Sequence, residues 1–264
     1  MSQMLLVISI ENTTTALGVY DEDRLRLRAS LATSRERSAD EYAVLIASLL
    51  AMHRLPADEV RAAIIASVVR PLSATLGEAV RQLTGIQPLL VGPGVRSGLN
   101  IKTDIPSQVG ADIVANAVGA LALAESPLIV VDFGTATTLT AINEHGELCG
   151  VIICPGVRSS LDALSSHAAD LPGIALESPR RLLGKNTIDA MTSGIVYGQA
   201  AMVDGLLDRI AATWNNKKPT VIATGAHAAA IVPWCRDQAA IRLEPDLTLA
   251  GLNRIYQLND RLKT

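Results

Sequence analysis

Short apolar runs bounded by Gly, Pro and polar clusters alternate along this chain with longer stretches of helical spacing. Residues 4–10 and 16–20 read as a hairpin, with 24–30 as a third strand. Ser38 followed by Glu41 is a capping-box pattern, so a helix starts there and runs to Leu50. Residues 62–68 read as a buried strand, 72–83 as a helix and 89–91 as a short strand. Residues 100–106 are polar and read as a loop, after which Gly110-Ala111-Asp112-Ile113 opens an apolar helix through Leu123. Residues 150–154 form a strand that runs into the bend Pro155–Gly156. Helices are expected at 159–169, 188–214 and 247–256, and a last buried strand at 219–224 before Gly225-Ala226-His227. Strands first, then helix and strand in alternation, define an α/β class.

The stretch 128–138 organises the rest. Leu-Ile-Val-Val suggests a strand buried on both faces; Asp132 ends it, Gly134 permits a tight turn, and Thr135, Thr137 and Thr138 follow. A strand-end carboxylate, a glycine and hydroxyls suit a metal-bound phosphate, since the carboxylate can hold the cation and the glycine lets backbone N–H groups approach. An ordinary hairpin turn fits the same residues. Residues 5–25 align with 128–148 without a gap, matching Val7 to Val130, Thr14 to Thr137, Thr15 to Thr138 and Asp21 to Glu144. Two such hairpins suggest a duplicated fold with a ligand between its halves. In this alignment Asp132 faces Ser9 and Gly134 faces Glu11, so the first copy lacks the two residues that give the second its phosphate-site character.

Composition narrows the function. The chain has 264 residues, is 49% hydrophobic and only 3% aromatic, so its core is aliphatic. A net charge of −3 gives no reason to expect nucleic acid. No apolar run is long enough for a membrane span, and the first residues lack a secretory pattern. Three cysteines without paired ligand spacing fit reduced thiols in the cytoplasm.

Of the remaining polar residues, Asp112 lies in the first turn of its helix, where it serves either the helix dipole or as a general base. Thr187 is either an N-cap or a substrate contact. His167 reads as a surface or capping residue, and Gly194, Gly198 and Gly205 interrupt a long helix at a cost of up to about 1 kcal/mol each.

These residues together resemble the type III pantothenate kinase family. The resemblance rests on Ser38-Ala-Asp-Glu-Tyr42, Ser67-Val-Val69, Val91-Gly-Pro-Gly94, Gly98-Leu-Asn-Ile101, Gly110-Ala-Asp112, Val131-Asp-Phe-Gly-Thr-Ala-Thr137, Pro155-Gly156, Gly184-Lys-Asn-Thr187, Ala223-Thr-Gly225 and Pro245-Asp-Leu-Thr-Leu249. It implies the superfold of actin, sugar kinases and heat-shock chaperone ATPases. The chain is then two duplicated actin-like (ribonuclease H-like) domains, 1–115 and 116–264, each a mixed sheet flanked by helices with a cleft between them. The implied activity is ATP-dependent phosphorylation of pantothenate, or of a similar small hydroxyl substrate, in coenzyme A biosynthesis. Mg2+, a monovalent cation (K+ or NH4+) and a homodimer are implied with it.

By position, the resemblance makes Asp112 the proton acceptor and Asp132 the monovalent-cation ligand. Asn12, Thr13, Thr14, Thr135 and Gly225 fall to ATP, and Gly110, Ala111, Asp112, Ile113 and Thr187 to the acceptor substrate. The chain departs from the family at its first turn, where Asp-x-Gly-Asn-Thr is Ser9-Ile-Glu11-Asn-Thr13. A carboxylate at Glu11 about 4 Å from a phosphate charge opposes it by ~1 kcal/mol in water and ~4 kcal/mol near a protein surface. Ile113 replaces an Arg and Thr103 a Tyr, both on the acceptor side. A non-catalytic paralogue and a kinase for another acceptor are the alternatives these departures raise.

Overall fold

The computed structural model describes residues 4–167, 170–215 and 217–260. Two compact units divide the chain. In the first, β1 (Met4–Ile10), β2 (Thr14–Asp21) and β3 (Arg24–Ala32) form a meander. It is followed by α1 (Ala39–Met52), β4 (Val60–Ser67), α2 (Arg70–Thr84) and β5 (Leu89–Leu90). The chain then contributes a two-residue strand to the second unit, β6 (Asn100–Ile101), and returns to the first as α3 (Ala111–Leu123). The second unit holds β7 (Leu128–Phe133), β8 (Ala136–Ile142), β9 (Glu147–Pro155), α4 (Val157–His167) and α5 (Thr187–Thr213). It continues with β10 (Thr220–Thr224), α6 (Ala228–Ile231) and β11 (Ile241–Leu243). The closing helix α7 (Leu247–Asp260) belongs to the first unit.

The sheet orders are β3-β2-β1-β4-β5 and β11-β10-β7-β8-β9-β6. In each, a central strand pairs antiparallel with the strand after it and parallel with one reached through helices. Every residue of β1 is buried because helices cover both faces of its sheet. On one face, Leu6, Ile8 and Ile65 pack with Tyr42, Ile46 and Leu50 of α1 and Leu72 and Leu76 of α2. The capping box holds α1 as its sequence predicts, with Ser38 N donating to Glu41 Oε2 at 2.7 Å and Glu41 N to Ser38 Oγ at 3.2 Å. In the second unit Ile129, Val131 and Phe133 pack with Met191, Ile195 and Val203 of α5.

The duplication holds to single-residue detail once register replaces sequence alignment. Ile10 pairs with Thr15 across a four-residue turn, and Phe133 with Thr137 across a three-residue turn. The counterpart of Thr137 is therefore Thr15, not Thr14, and both are fully buried. The second turn compensates: Asp21 pairs with Arg24, whereas Asn143 N reaches Glu147 O across one residue more. Two offsetting differences thus made the copies look gapless. Both copies carry a bulge at the same place, leaving Arg26 unpaired in β3 and Cys149 in β9. Thr14 opposite Ala32 matches Ala136 opposite Pro155, which makes Thr33 the counterpart of Gly156.

Several boundaries differ from expectation. The units do not divide at 115/116: α3 stays with the first unit almost whole, and α7 rejoins it. Residues 100–101, expected in a loop, add a parallel strand to β9, tied by Asn100 Nδ2 to Glu147 Oε1 at 2.7 Å. The strand β11 carries too short an apolar pattern to be read. Asn186, not Thr187, caps α5, its side chain accepting from Asp189 N at 2.8 Å. Helix α4 starts at Val157, and residues 168–169 and the His167 side chain lie outside the described residues.

Two glycines bring α3 and α7 together. A Cβ on Gly251 would stand 1.8 Å from Ala115 O, and one on Gly119 2.7 Å from Leu247 O. Thr248 Oγ1 also donates to the buried Asn116 Oδ1 at 2.7 Å. Gly251→Ala must separate these backbones and should cost about 1–3 kcal/mol or more in urea unfolding, whereas Gly173→Ala, with open space around it, should stay within about 0.5 kcal/mol.

Candidate active site

In the first unit, the turn after β1 is closed by Glu11 N donating to Thr14 O at 2.9 Å. Thr33 N donates to Thr13 O at 3.0 Å and anchors the turn to the chain leaving β3. Asn12 and Thr13 are exposed, Thr14 and Glu11 half-buried. Ser9 is 1% exposed and pairs with Ala16 and Ala66, the places that Thr138 and Thr224 take beside Asp132. Register therefore bears out the match of Ser9 to Asp132 and of Glu11 to Gly134.

Val68 N donates to Ile10 O at 3.0 Å, so the end of β4 lies against this turn. Helix α3 starts beside it. A Cβ on Gly110 would stand 3.7 Å from Val68 Cγ1 and 2.3 Å from Asp112 Oδ1. Only glycine leaves the Asp112 carboxylate that space. Its Oδ1 is buried with no hydrogen-bond partner. Burial pushes its carboxyl above the usual range, while the N–H groups of Ile113 and Asp112 itself pull the other way. Ala111 and Ile113 beside it are half-buried. A desolvated carboxylate with a spare oxygen is suited to accept a proton.

In the second unit Asp132 is the next-to-last residue of β7, paired in parallel with Thr224, and Gly225 (φ +94°) follows β10. A Cβ on Gly225 would stand 2.3 Å from Asp132 Oδ1 and 2.7 Å from Phe133 N. The positive φ and the close approach both require glycine here. Gly134 N donates to Ala136 O at 3.1 Å, as Glu11 N does to Thr14 O in the first copy. The bend Pro155–Gly156 supports this turn: a Cβ on Gly156 would stand 2.2 Å from Thr135 O, and Ser159 Oγ donates to Thr135 O at 2.8 Å. His227 N donates to Phe133 O at 3.1 Å. Burial, and then the charge of Arg158, push the His227 imidazole below its usual range.

Thr187 is exposed in the first turn of α5. It lines a cavity of about 560 Å³ with Gly184, Lys185, Met191 and Gly194. Gly184 is packed on the helix, a Cβ there falling 2.3 Å from Ala190 N. The predicted site residues therefore form three groups: Asn12, Thr13 and Thr14 with the Gly110–Ile113 corner in the first unit, Asp132, Thr135 and Gly225 in the second, and Thr187 apart at the start of α5. Ser159 and Gln199 escape sequence reading, because one serine after a bend and one glutamine in an apolar helix carry no motif.

Two units of one strand order, the second with a carboxylate near the end of its central strand beside a glycine turn, define a protein of the actin-like α/β fold. Solved structures of that shape include a ROK hexokinase from Thermus thermophilus, at TM-score 0.54 and 14% identity over 98% of this chain and 99% of that one. A Baf family transcriptional activator from Campylobacter jejuni matches at TM-score 0.61 and 15% identity, over 97% and 99%. The family model of type III pantothenate kinase matches residues 5–209. A type III pantothenate kinase of Geobacillus kaustophilus is 43% identical over 98% of this chain and 100% of its own. This chain belongs to the type III pantothenate kinase family. No helix among the described residues is long and apolar enough to cross a membrane.

The raised carboxyl of Asp112 sets a pH dependence. Below its unfolded pKa of about 4 the group is protonated folded or unfolded and changes nothing. As pH rises through the folded pKa, stability is lost, because the ionised carboxylate is better solvated in the unfolded chain. Asp112→Asn should melt above the parent at pH 7–8 and level with it below pH about 4; a variant that melts lower at pH 8 would show that the buried carboxylate is compensated.

Proposed function

We propose that this chain transfers the γ-phosphoryl group of ATP to the hydroxyl of pantothenate, the first step of coenzyme A biosynthesis. Family membership supports the reaction, and the observation that carries it in this chain is the Asp112 carboxylate, seated in the space of a missing Gly110 side chain with one oxygen unpartnered. Asp112 accepts the proton of the attacking hydroxyl, and its raised pKa makes it a stronger base than an ordinary carboxylate. The Thr187 end of α5, with its cavity, is assigned to the acceptor.

On the nucleotide side, Asn12, Thr13, Thr14, Thr135 and Gly225 are assigned to ATP. Asp132, a half-buried carboxylate next to the second turn, is assigned to a monovalent cation, K+ or NH4+. The described residues hold no cluster of three or more His, Cys, Asp or Glu for a metal. Mg2+ in this reading is held chiefly by phosphates and water, as is usual for this ion. The cations supply charge neutralisation on the phosphates. The remainder falls to positioning by the two turns. A cytoplasmic location belongs to the same reading, and free thiols at Cys149, Cys154 and Cys235 are compatible with it.

The chain also forms a homodimer in this reading. Gly194 and Gly198 of α5 face open space. Beside them Leu183 is 82% exposed, Leu182 62% and Ile188 55%, an apolar surface that a second copy would cover. Sedimentation at micromolar concentration should give twice the chain mass, and Leu183→Asp should halve it; a single-chain mass for the parent removes the dimer.

A second reading, nucleotide binding without turnover, is favoured by Ser9, which leaves the first copy without a strand-end carboxylate. Coupled release of ADP on adding pantothenate decides between them. The expected outcome is turnover in the parent and a loss of about 10²–10⁴ in kcat for Asp112→Asn; ATP binding with no ADP release selects the second reading.

A further inference from the structure

We propose that Gln199 is a positioning residue for the nucleotide-binding turn, locking Gly134–Ala136 to the Pro155–Gly156 bend from the middle of α5; this rests on the kinase reading above. Gln199 is 7% exposed and uses both ends of its amide. Thr137 Oγ1, fully buried, donates to its Oε1 at 3.1 Å, and its Nε2 donates to Pro155 O at 3.0 Å. One side chain thus joins the residue that follows the turn to the residue that opens the bend.

The tolerance at this junction is small. Gly156 is packed so closely on the carbonyls of Gly134 and Thr135 that a single added carbon would overlap both. A shift of the bend relative to β8 therefore moves the turn. An apolar side chain of similar size would fill the volume of Gln199 but would fix neither distance, and would leave the Pro155 carbonyl and the Thr137 hydroxyl without these bonds.

The first copy shows the same junction solved differently. Thr15, the counterpart of Thr137, is also fully buried, and its hydroxyl meets Thr33 Oγ1 at 2.9 Å. Thr33 N in turn holds Thr13 O. Thr33 is the counterpart of Gly156, so the first turn is braced by the chain leaving its own third strand. In the second copy that position is glycine, with no hydroxyl to offer, and the brace comes from α5 instead. The carrier of the bond changed while the bond to the buried threonine was kept.

Four single variants and one double variant test this by calorimetry with ATP–Mg2+ and by steady-state kinetics. Gln199→Leu and Thr137→Val should each weaken ATP binding about tenfold with little change in the KM for pantothenate. The double variant should lose no more than either alone, and Thr137→Ser should bind as the parent does. Gln199→Glu supplies a signature that a merely structural role would lack. When protonated, the new carboxyl can donate to the Pro155 carbonyl; when ionised it cannot. Its ATP affinity should therefore fall between pH about 5 and 8, relative to a parent that shares Asp132, Arg158 and His227 near the turn. If Gln199→Leu fails to fold, the profile of Gln199→Glu decides. Parent-like ATP binding by Gln199→Leu, or a Gln199→Glu profile parallel to the parent's, overturns the role of Gln199 alone. A parent that binds no ATP overturns the kinase reading and this one together.

Discussion

The carboxylate of Asp132 lies where a side chain at residue 225 would otherwise stand, and the polar groups assigned to the site depend on vacancies of that kind. Gly110 leaves room for Asp112, Gly225 for Asp132, and Gly156 for the carbonyls of the turn at Gly134 and Thr135. Interiors are packed too closely for a strand-end carboxylate to find space by chance. Each glycine therefore makes room for a polar group from the side. At Asp112 the result is a buried oxygen with no partner, a costly arrangement by itself and a useful one for a base.

Register makes the duplication more informative than the sequence match does. Both copies share strand order, bulge position and a buried threonine after the first turn, so these belong to the scaffold. They differ in the turns themselves. The first carries one more residue and Glu11, the second Gly134; one residue before the strand end, the first copy has a buried Ser9 and the second Asp132. Change is concentrated where the backbone leaves the sheet, because a residue added inside a strand would turn its apolar face to the wrong side, whereas a turn absorbs it locally.

The helix crossing at Gly119 and Gly251 explains why the units are discontinuous in sequence. Helix α7 closes the first sheet on the face opposite α1 and α2, with Leu249 3.2 Å from the Cβ position of Gly18. It also holds α3, through Thr248 and Asn116, and α3 carries Asp112. The last helix of the chain thus supports the residue assigned as base, some distance earlier in sequence.

What the sequence determined by itself was local: the alternation of apolar runs, the Ser38–Glu41 cap, the strand leading to Asp132, the bend at Pro155–Gly156 and the start of α3 all follow from short-range pattern and appear within a few residues of where it put them. The family motifs added the site residues by position. Tertiary structure decided what depends on partners distant in sequence. It set the true register between the copies, because two compensating turn lengths leave no trace in a gapless alignment. It placed Asn186 rather than Thr187 at the cap of α5, put residues 100–101 at the edge of the second sheet, and returned α7 to the first unit. Gln199 is the clearest instance, since an isolated glutamine in an apolar helix has no meaning until packing brings a threonine hydroxyl and a proline carbonyl to its two ends.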